Sequence, residues 1–389
     1  MRKFILDSVC NIKPSGIRQF FDLANEIPGC ISLGVGEPDF DTPWHIREEG
    51  IYSLEKGNTF YTANSGLKEL RIAVSNFLNR KYNLNYKPLK EILITVGGSE
   101  AIDLALRSMV TYGDEVIIPE PSYVAYTPCT LLTGATPVII KLKEENEFKL
   151  TKEDLLEKIT EKTKVLILPF PNNPTGSILT KEDCQEIAKI CIEKDIFVIS
   201  DEIYSELVYD EKHYSIASIP QMKERCIVIN GFSKTYSMTG WRLGYAAGPE
   251  EIIQAMTKIH QFCIMCAPTT SQFAAIEALN NGDDDILKMK NEYNQRRRFV
   301  LNALHKMDIP CYEPKGAFYV FPNIKKFGLT SEEFAKKLLT EEKVITVPGT
   351  AFGEYGEGFI RISYAYSIDN LKEALSRIEK FVNKLTKKC

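Results

Sequence analysis

The sequence predicts an α/β protein: a large domain on a mostly parallel seven-stranded sheet flanked by helices, followed by a smaller α+β domain. Three observations carry this. Short Val- and Ile-rich runs recur: "EILITVGG" (91–98), "EVIIPEP" (115–121), "TPVIIKL" (136–142), "KVLILPFP" (164–171), "IFVISDEIY" (196–204), "CIVINGFS" (226–233) and "RLGYAAGP" (242–249). They are continuous rather than alternating and end in Gly, Pro, Asn or Ser, as strands covered on both faces do. Segments of helical period lie between several of them, which implies parallel strands with helical crossovers. Beyond residue 284 the rhythm changes.

Taken in order, residues 1–44 lack the α/β pattern and are expected to pack with the smaller domain; 45–284 form the large domain and 285–389 the small one. "SEAIDLALRSMV" (99–110) is apolar along one face and opens on a serine. "TKEDCQEIAKICIEKD" (180–195) opens on Thr180 with Asp183 three residues later, a capping arrangement. "IHQFCIMCAP" reads as an apolar helical stretch, so Cys263 and Cys266 are expected to be buried thiols; a metal or redox site would want a second pair. "DILKMKNEYNQRRRFVLNALHKM" (285–307) reads as a long charged helix, with Arg296, Arg297 and Arg298 on a solvated face. Strand-like "GAFYVFPNI", "KVITVPGTAFG" and "FIRISYA" and a terminal helix follow.

The 389 residues carry 48 basic and 52 acidic side chains, a net charge of −4. That balance argues against nucleic acid as a partner. The start "MRKFILDSVC" has too short an apolar run for a signal peptide, and no stretch has the apolar length of a membrane span. A cytoplasmic protein is expected, with its ten cysteines mostly small buried hydrophobes.

Ligands of such sheets bind beyond the carboxyl ends of the strands. Most of the distinctive residues fall there. Lys234, in "SKTYSMTGWR", would need a depressed pKa to attack a carbonyl, and Arg242 is a cation placed to depress it. Asp201, at the end of "IFVISD", is a carboxylate that needs a partner when buried; a protonated pyridine nitrogen is one. Tyr204 lies three residues on. Asn173, in "PFPNNPTG", can donate to a phenolic oxygen, and "TVGGSEA" (95–101) is a glycine-rich strand-to-helix turn suited to a phosphate. Tyr123 offers a ring for stacking, and Arg361, in the apolar "FIRISYA", calls for an anion such as a carboxylate. Singly, each has a plain reading as cap, turn or core. Together they suit an enzyme of pyridoxal 5′-phosphate.

At this point "GFSKTYSMTGWRLG" (231–244), with "LGVGEPDF", "YTANSGLKELR", "GGSEA", "PNNPTG", "SDEIY" and "RIS" in this order and spacing, resembles the class I/II aminotransferases of pyridoxal-phosphate fold type I. The resemblance runs from about Ile12 to the terminal helix. It implies that Lys234 joins the cofactor's aldehyde carbon and shuttles the proton between substrate Cα and cofactor C4′. Asp201 would pair with the pyridine nitrogen, Asn173 and Tyr204 would hold the phenolic oxygen, and Tyr123 would stack on the ring. Gly98, Ser99, Glu100, Ser233 and Arg242 would bind the phosphate. Arg361 and the backbone at Gly36 would hold the substrate α-carboxylate. Tyr61 resembles a tyrosine that reaches the neighbouring subunit's phosphate, which implies a homodimer with shared active sites.

Three departures bear on specificity. Gly231 stands where relatives often carry a phosphate-binding serine, Ser99 where some aspartate-specific relatives carry lysine, and Ile17 makes the substrate side more apolar. The resemblance therefore points to the broad aspartate/aromatic group, which includes enzymes acting on N-acetyl-diaminopimelate. The implied activity moves an amino group from an L-amino acid (aspartate, aromatic or related) to a 2-oxo acid such as 2-oxoglutarate. A carbon–sulfur β-lyase of the cystathionine type and a catalytically inactive ligand-sensing domain remain open on the same scaffold.

Overall fold

The computed structural model describes residues 4–10, 12 and 28–386. Ile17 lies outside them. A short strand, β1 (Ile31–Ser32), precedes the main sheet, which comprises β2 (Ile92–Thr95), β3 (Glu115–Glu120), β4 (Thr136–Lys141), β5 (Thr163–Leu168), β6 (Phe197–Asp201), β7 (Cys226–Gly231) and β8 (Gly244–Ala247). All seven strands coincide with the seven apolar runs. Their order is β2-β8-β7-β6-β5-β3-β4, with β8 antiparallel to both neighbours and every other pair parallel.

The central strands β5, β6 and β7 are buried almost throughout, as double-sided coverage requires. The edge strand β4 departs from that expectation and is half-exposed, because only one side of an edge is paired. Two apolar clusters cover the faces of the sheet. One includes Ile94, Leu166, Val198 and Val228, and the other Leu93, Val165, Ile199 and Ile229; along each strand neighbouring residues go to opposite faces. The Lys181–Glu193 helix starts as its sequence reads: Thr180 and Asp183 bond reciprocally to each other's backbone N–H.

Beyond the sheet, β9 (Tyr319–Val320), β11 (Val347–Pro348) and β12 (Ile360–Ser363) form an antiparallel trio, while β10 (Val344–Ile345) pairs with β1 in parallel. Their core draws on Phe318, Phe334 and Phe381, and it takes in Leu33 and Tyr204 from the earlier chain.

Two readings of the sequence are corrected here. Arg296 and Arg297, on the Asp283–Lys306 helix, are buried, not solvated; only Arg298 stands out in water. Arg296 Nη1 donates to both oxygens of Asp39 at 2.7 and 2.8 Å, and Arg297 reaches Asp210 at 2.7 Å and the Pro314 carbonyl at 2.7 Å, over the ring of Tyr209. Their carboxylate partners are far away in sequence, so the local pattern read as solvated. The second concerns "CIMC". The Glu250–Cys263 helix stops there, which leaves Cys263 exposed and Cys266 half-buried; among the described residues no cluster of His, Cys, Asp or Glu could hold a metal. No helix among the described residues is long and apolar enough to cross a membrane.

Arg297 is 1% exposed, and its loss leaves the Pro314 carbonyl without its donor and Asp210, among the described residues, with only the exposed Arg298 at 3.8 Å. Arg297→Ala is expected to lower the free energy of unfolding in urea by about 2–4 kcal/mol, and Arg298→Ala by less than about 0.5 kcal/mol. Equal losses would contradict the buried role.

Candidate active site

The turns after β2, β5, β6 and β7 meet around a cavity of about 320 Å³. Gly244 sets their level: in the sheet it pairs with Thr95, the last residue of β2, and with Gly231, the last of β7. Both turns therefore leave the sheet side by side.

Lys234 sits in the single helical turn Phe232–Thr235 that follows β7. Its Nζ donates to the Gly36 carbonyl at 2.6 Å, and part of its side chain faces the cavity. Burial depresses its pKa to about 8; Glu37 opposes the shift, while Arg361 and Arg242 add to it. Near neutral pH such an amine is neutral often enough to act as a nucleophile or base.

Asp201 ends β6 and is 6% exposed. Its carboxylate accepts from the Tyr126 hydroxyl at 2.7 Å and the Ile203 N–H at 3.2 Å. Burial raises its pKa to about 6, and those two neutral donors only partly offset the rise. A buried carboxylate so placed favours a cationic partner, which a protonated heterocyclic nitrogen supplies. Tyr204 is also buried, and its hydroxyl meets that of Tyr319 at 2.8 Å.

The turn after β2 leaves backbone N–H groups able to meet an anion. Gly97 has φ +79°, and the Gly97–Met109 helix begins there, so its first N–H groups have no carbonyl within the helix. Gly98, Ser99, Ser233 and Arg242 all line the cavity. The guanidinium of Arg242 lies against Gly97, where an added Cβ would come within 2.9 Å of it. Tyr123 joins this wall, with its hydroxyl 3.2 Å from Ser99 Oγ. Gly231 does not line the cavity, and its N–H is taken by Asn230 Oδ1. Glu100 belongs to this turn, but its side chain does not line the cavity: the carboxylate turns back to the Val96 N–H and to His260 Nδ1. An anion beside the carboxylate would be repelled, whereas facing away it closes the turn.

Arg361 lies on β12, 2% exposed, packed over the rings of Tyr319 and Phe352 at 4.3 and 4.7 Å. One nitrogen donates to Asn173 Oδ1 at 2.8 Å and another to the Gly34 carbonyl, while Nε has no partner among the described residues. Among the described residues no carboxylate pairs with Arg361 or Arg242. A buried guanidinium such as that of Arg361, held by neutral groups, can accept an external carboxylate.

Gly36 and Asn173 also line the cavity; Tyr61 does not, and is 81% exposed. Sequence reasoning missed Tyr126 and Tyr319. Tyr126 stands three residues after Tyr123, where a helical turn would carry it back toward the same wall. Tyr319 neighbours Phe318 in a strand, and nothing local marks which of the two faces a ligand.

A profile of the family described as aminotransferase class I and II matches residues 28–378. The putative aminotransferase YugH of Bacillus subtilis is 52% identical over 99% of this chain and 100% of its own. The aspartate aminotransferase of Pyrococcus abyssi is 48% identical over 95% and 96%. The solved aromatic aminotransferase from Pyrococcus horikoshii superposes with a TM-score of 0.90 at 44% identity, covering 95% of this chain and 99% of that one. The chain belongs to the aminotransferase class I and II family.

Proposed function

We propose that the cavity holds pyridoxal 5′-phosphate and that the enzyme transfers the amino group of an L-amino acid, aspartate, aromatic or related, to a 2-oxo acid such as 2-oxoglutarate. The observation that carries this is the convergence in one cavity of a buried lysine amine, a buried carboxylate lacking a cation, and two arginines lacking a carboxylate. When bound, the cofactor supplies an aldehyde for the amine and a ring that withdraws electrons from Cα.

The chain's own residues do the rest. Asp201 keeps a proton on the ring nitrogen, and Tyr126 holds that carboxylate in place. Arg361 occupies Asn173 Oδ1, which leaves Asn173 Nδ2 free to donate to a phenolic oxygen beside the Tyr204 hydroxyl. Tyr123 flanks the ring. The N–H groups of Gly98 and Ser99 and the side chains of Ser99, Ser233 and Arg242 hold the phosphate; Glu100 contributes at most its backbone. Arg361 and Gly36 would orient the α-carboxylate, and the neutral amine of Lys234 would be the base that takes the Cα proton and the acid that gives it back. Among the described residues the cations lining the cavity are Lys234, Arg242 and Arg361, all used in these roles, while Ile102, Ile203, Pro169 and Pro171 make apolar walls. That lining supports aromatic as well as acidic donors. The two Pyrococcus relatives, one an aspartate and the other an aromatic aminotransferase, span the same pair.

A homodimer is part of the reading. Trp44, Phe60, Tyr61 and Phe262 are 59–86% exposed and would be covered in part by a second copy. Sedimentation is expected to give the mass of two chains; a single-chain mass at micromolar concentration would contradict it.

The direct test is the half-reaction. With cofactor bound and no oxo acid, an aromatic or acidic amino acid is expected to yield its own oxo acid, one per site, with loss of the aldehyde's absorption band. Lys234→Ala should slow this by about 10⁴-fold. Arg361→Lys, which loses the planar fork, should raise the donor KM by about 10–100-fold. Pyruvate and ammonia from cystathionine, with no turnover of these donors, would overturn the reading.

A further inference from the structure

We propose that Glu100 and His260 act together as positioning residues that hold the anion-binding turn after β2 in its binding shape. The inference rests on the cofactor reading above and assigns the pair no contact with the ligand.

Glu100 lies in the first turn of the Gly97–Met109 helix, and one carboxylate oxygen accepts the N–H of Val96, the residue just before Gly97. The other oxygen meets His260 Nδ1 at 2.8 Å. His260 is fully buried in the last turn of the Glu250–Cys263 helix, and its backbone carbonyl accepts from Ile264 and Met265 at 2.9 and 3.1 Å. Among the described residues its buried Nε2 has no partner, and the hydrogen bond the ring makes there is the one to Glu100. A buried imidazole kept for a single bond, to a carboxylate that closes a backbone turn, is poor economy for a core position. Deleting the ring leaves the carboxylate with one donor instead of two.

The turn is gripped from its other side by backbone. A Cβ on Gly244 would fall 2.6 Å from Gly97 C and 2.7 Å from Gly98 N, so β8 presses directly on it, and Thr95 Oγ1 donates to the Gly97 carbonyl at 3.0 Å. What remains to fix is the N–H of Val96, and Glu100 fixes it. If that carboxylate swings free, the N–H groups of Gly98 and Ser99 lose their common aim, while Asn173, Asp201 and Lys234, at or beyond the ends of β5, β6 and β7, keep theirs. The loss should therefore fall on the phosphate end of a ligand alone.

The test compares two ligands on the full-length protein stripped of cofactor: pyridoxal 5′-phosphate and pyridoxal, which lacks the phosphate. Two isopolar variants separate the hydrogen bond from mere packing. Asn places an N–H where His Nδ1 stands; Gln places it one bond further out. His260→Gln is expected to weaken pyridoxal phosphate about five- to tenfold, the worth of one hydrogen bond, and pyridoxal less than about twofold, with His260→Asn within about twofold of the parent for both. Inorganic phosphate, as a competitor, should weaken with pyridoxal phosphate. Equal weakening of both ligands, no weakening, or Asn behaving as Gln would overturn the proposal. Should the His260 variants fail to fold, Glu100→Ala is expected to give the same selective loss, and an unselective one would overturn it. Failure of the parent protein to bind pyridoxal phosphate at all would instead remove the cofactor reading.

Discussion

Backbone-to-backbone contact at Gly244 sets the geometry on which the site depends. β8 runs antiparallel between β2 and β7, so one residue of it is in register with the last residue of each: Thr95 on one side, Gly231 on the other. The anion turn and the lysine turn thus leave the sheet at the same level, on either side of one strand. No side chain fits at that position, because a Cβ would meet the Gly97–Gly98 peptide at under 3 Å. Backbone cannot swing aside as a side chain can, so this contact is the rigid datum from which Gly98, Ser99, Ser233 and Lys234 are placed.

Burial then gives those side chains their chemistry. The same desolvation moves two groups in opposite senses: it lowers the Lys234 amine to about 8 and raises the Asp201 carboxyl to about 6. Each shift disfavours a charge that the protein itself does not neutralise. A ligand bringing a cationic nitrogen to one and an electrophilic carbon to the other relieves both. Arg361 follows the same logic with the sign reversed, as a guanidinium held by carbonyl oxygens, an amide and two rings until a carboxylate arrives.

Much of this is legible in the sequence. Strands buried on both faces write themselves as unbroken Val/Ile runs, and their ends are punctuated by the residues that act. Gly98, Tyr123, Asn173, Asp201 and Lys234 can therefore be placed at one edge of the sheet from the order of residues alone. Thr180 and Asp183 are legible because a capping box is local. Pairings across the fold are not. Arg296 and Arg297 look solvated since Asp39 and Asp210 lie far off in the chain. Glu100 is legible as part of the turn after β2, but nothing near it announces His260, 160 residues on. Cys263 looks buried because an apolar stretch says nothing about which side has a neighbour. Tyr319 is hidden in a strand where alternate residues face opposite ways.

The most direct measurement is covalent trapping. Cofactor-free protein would be treated with pyridoxal phosphate and a mild hydride reductant at a series of pH values, and the labelled peptides mapped. The expected result is one label per chain, on Lys234 alone, with the labelling rate rising as pH passes through about 8, where the buried amine loses its proton. A label spread over surface lysines, or one on Lys234 that rises only near the pH of an ordinary lysine, would contradict the site described here.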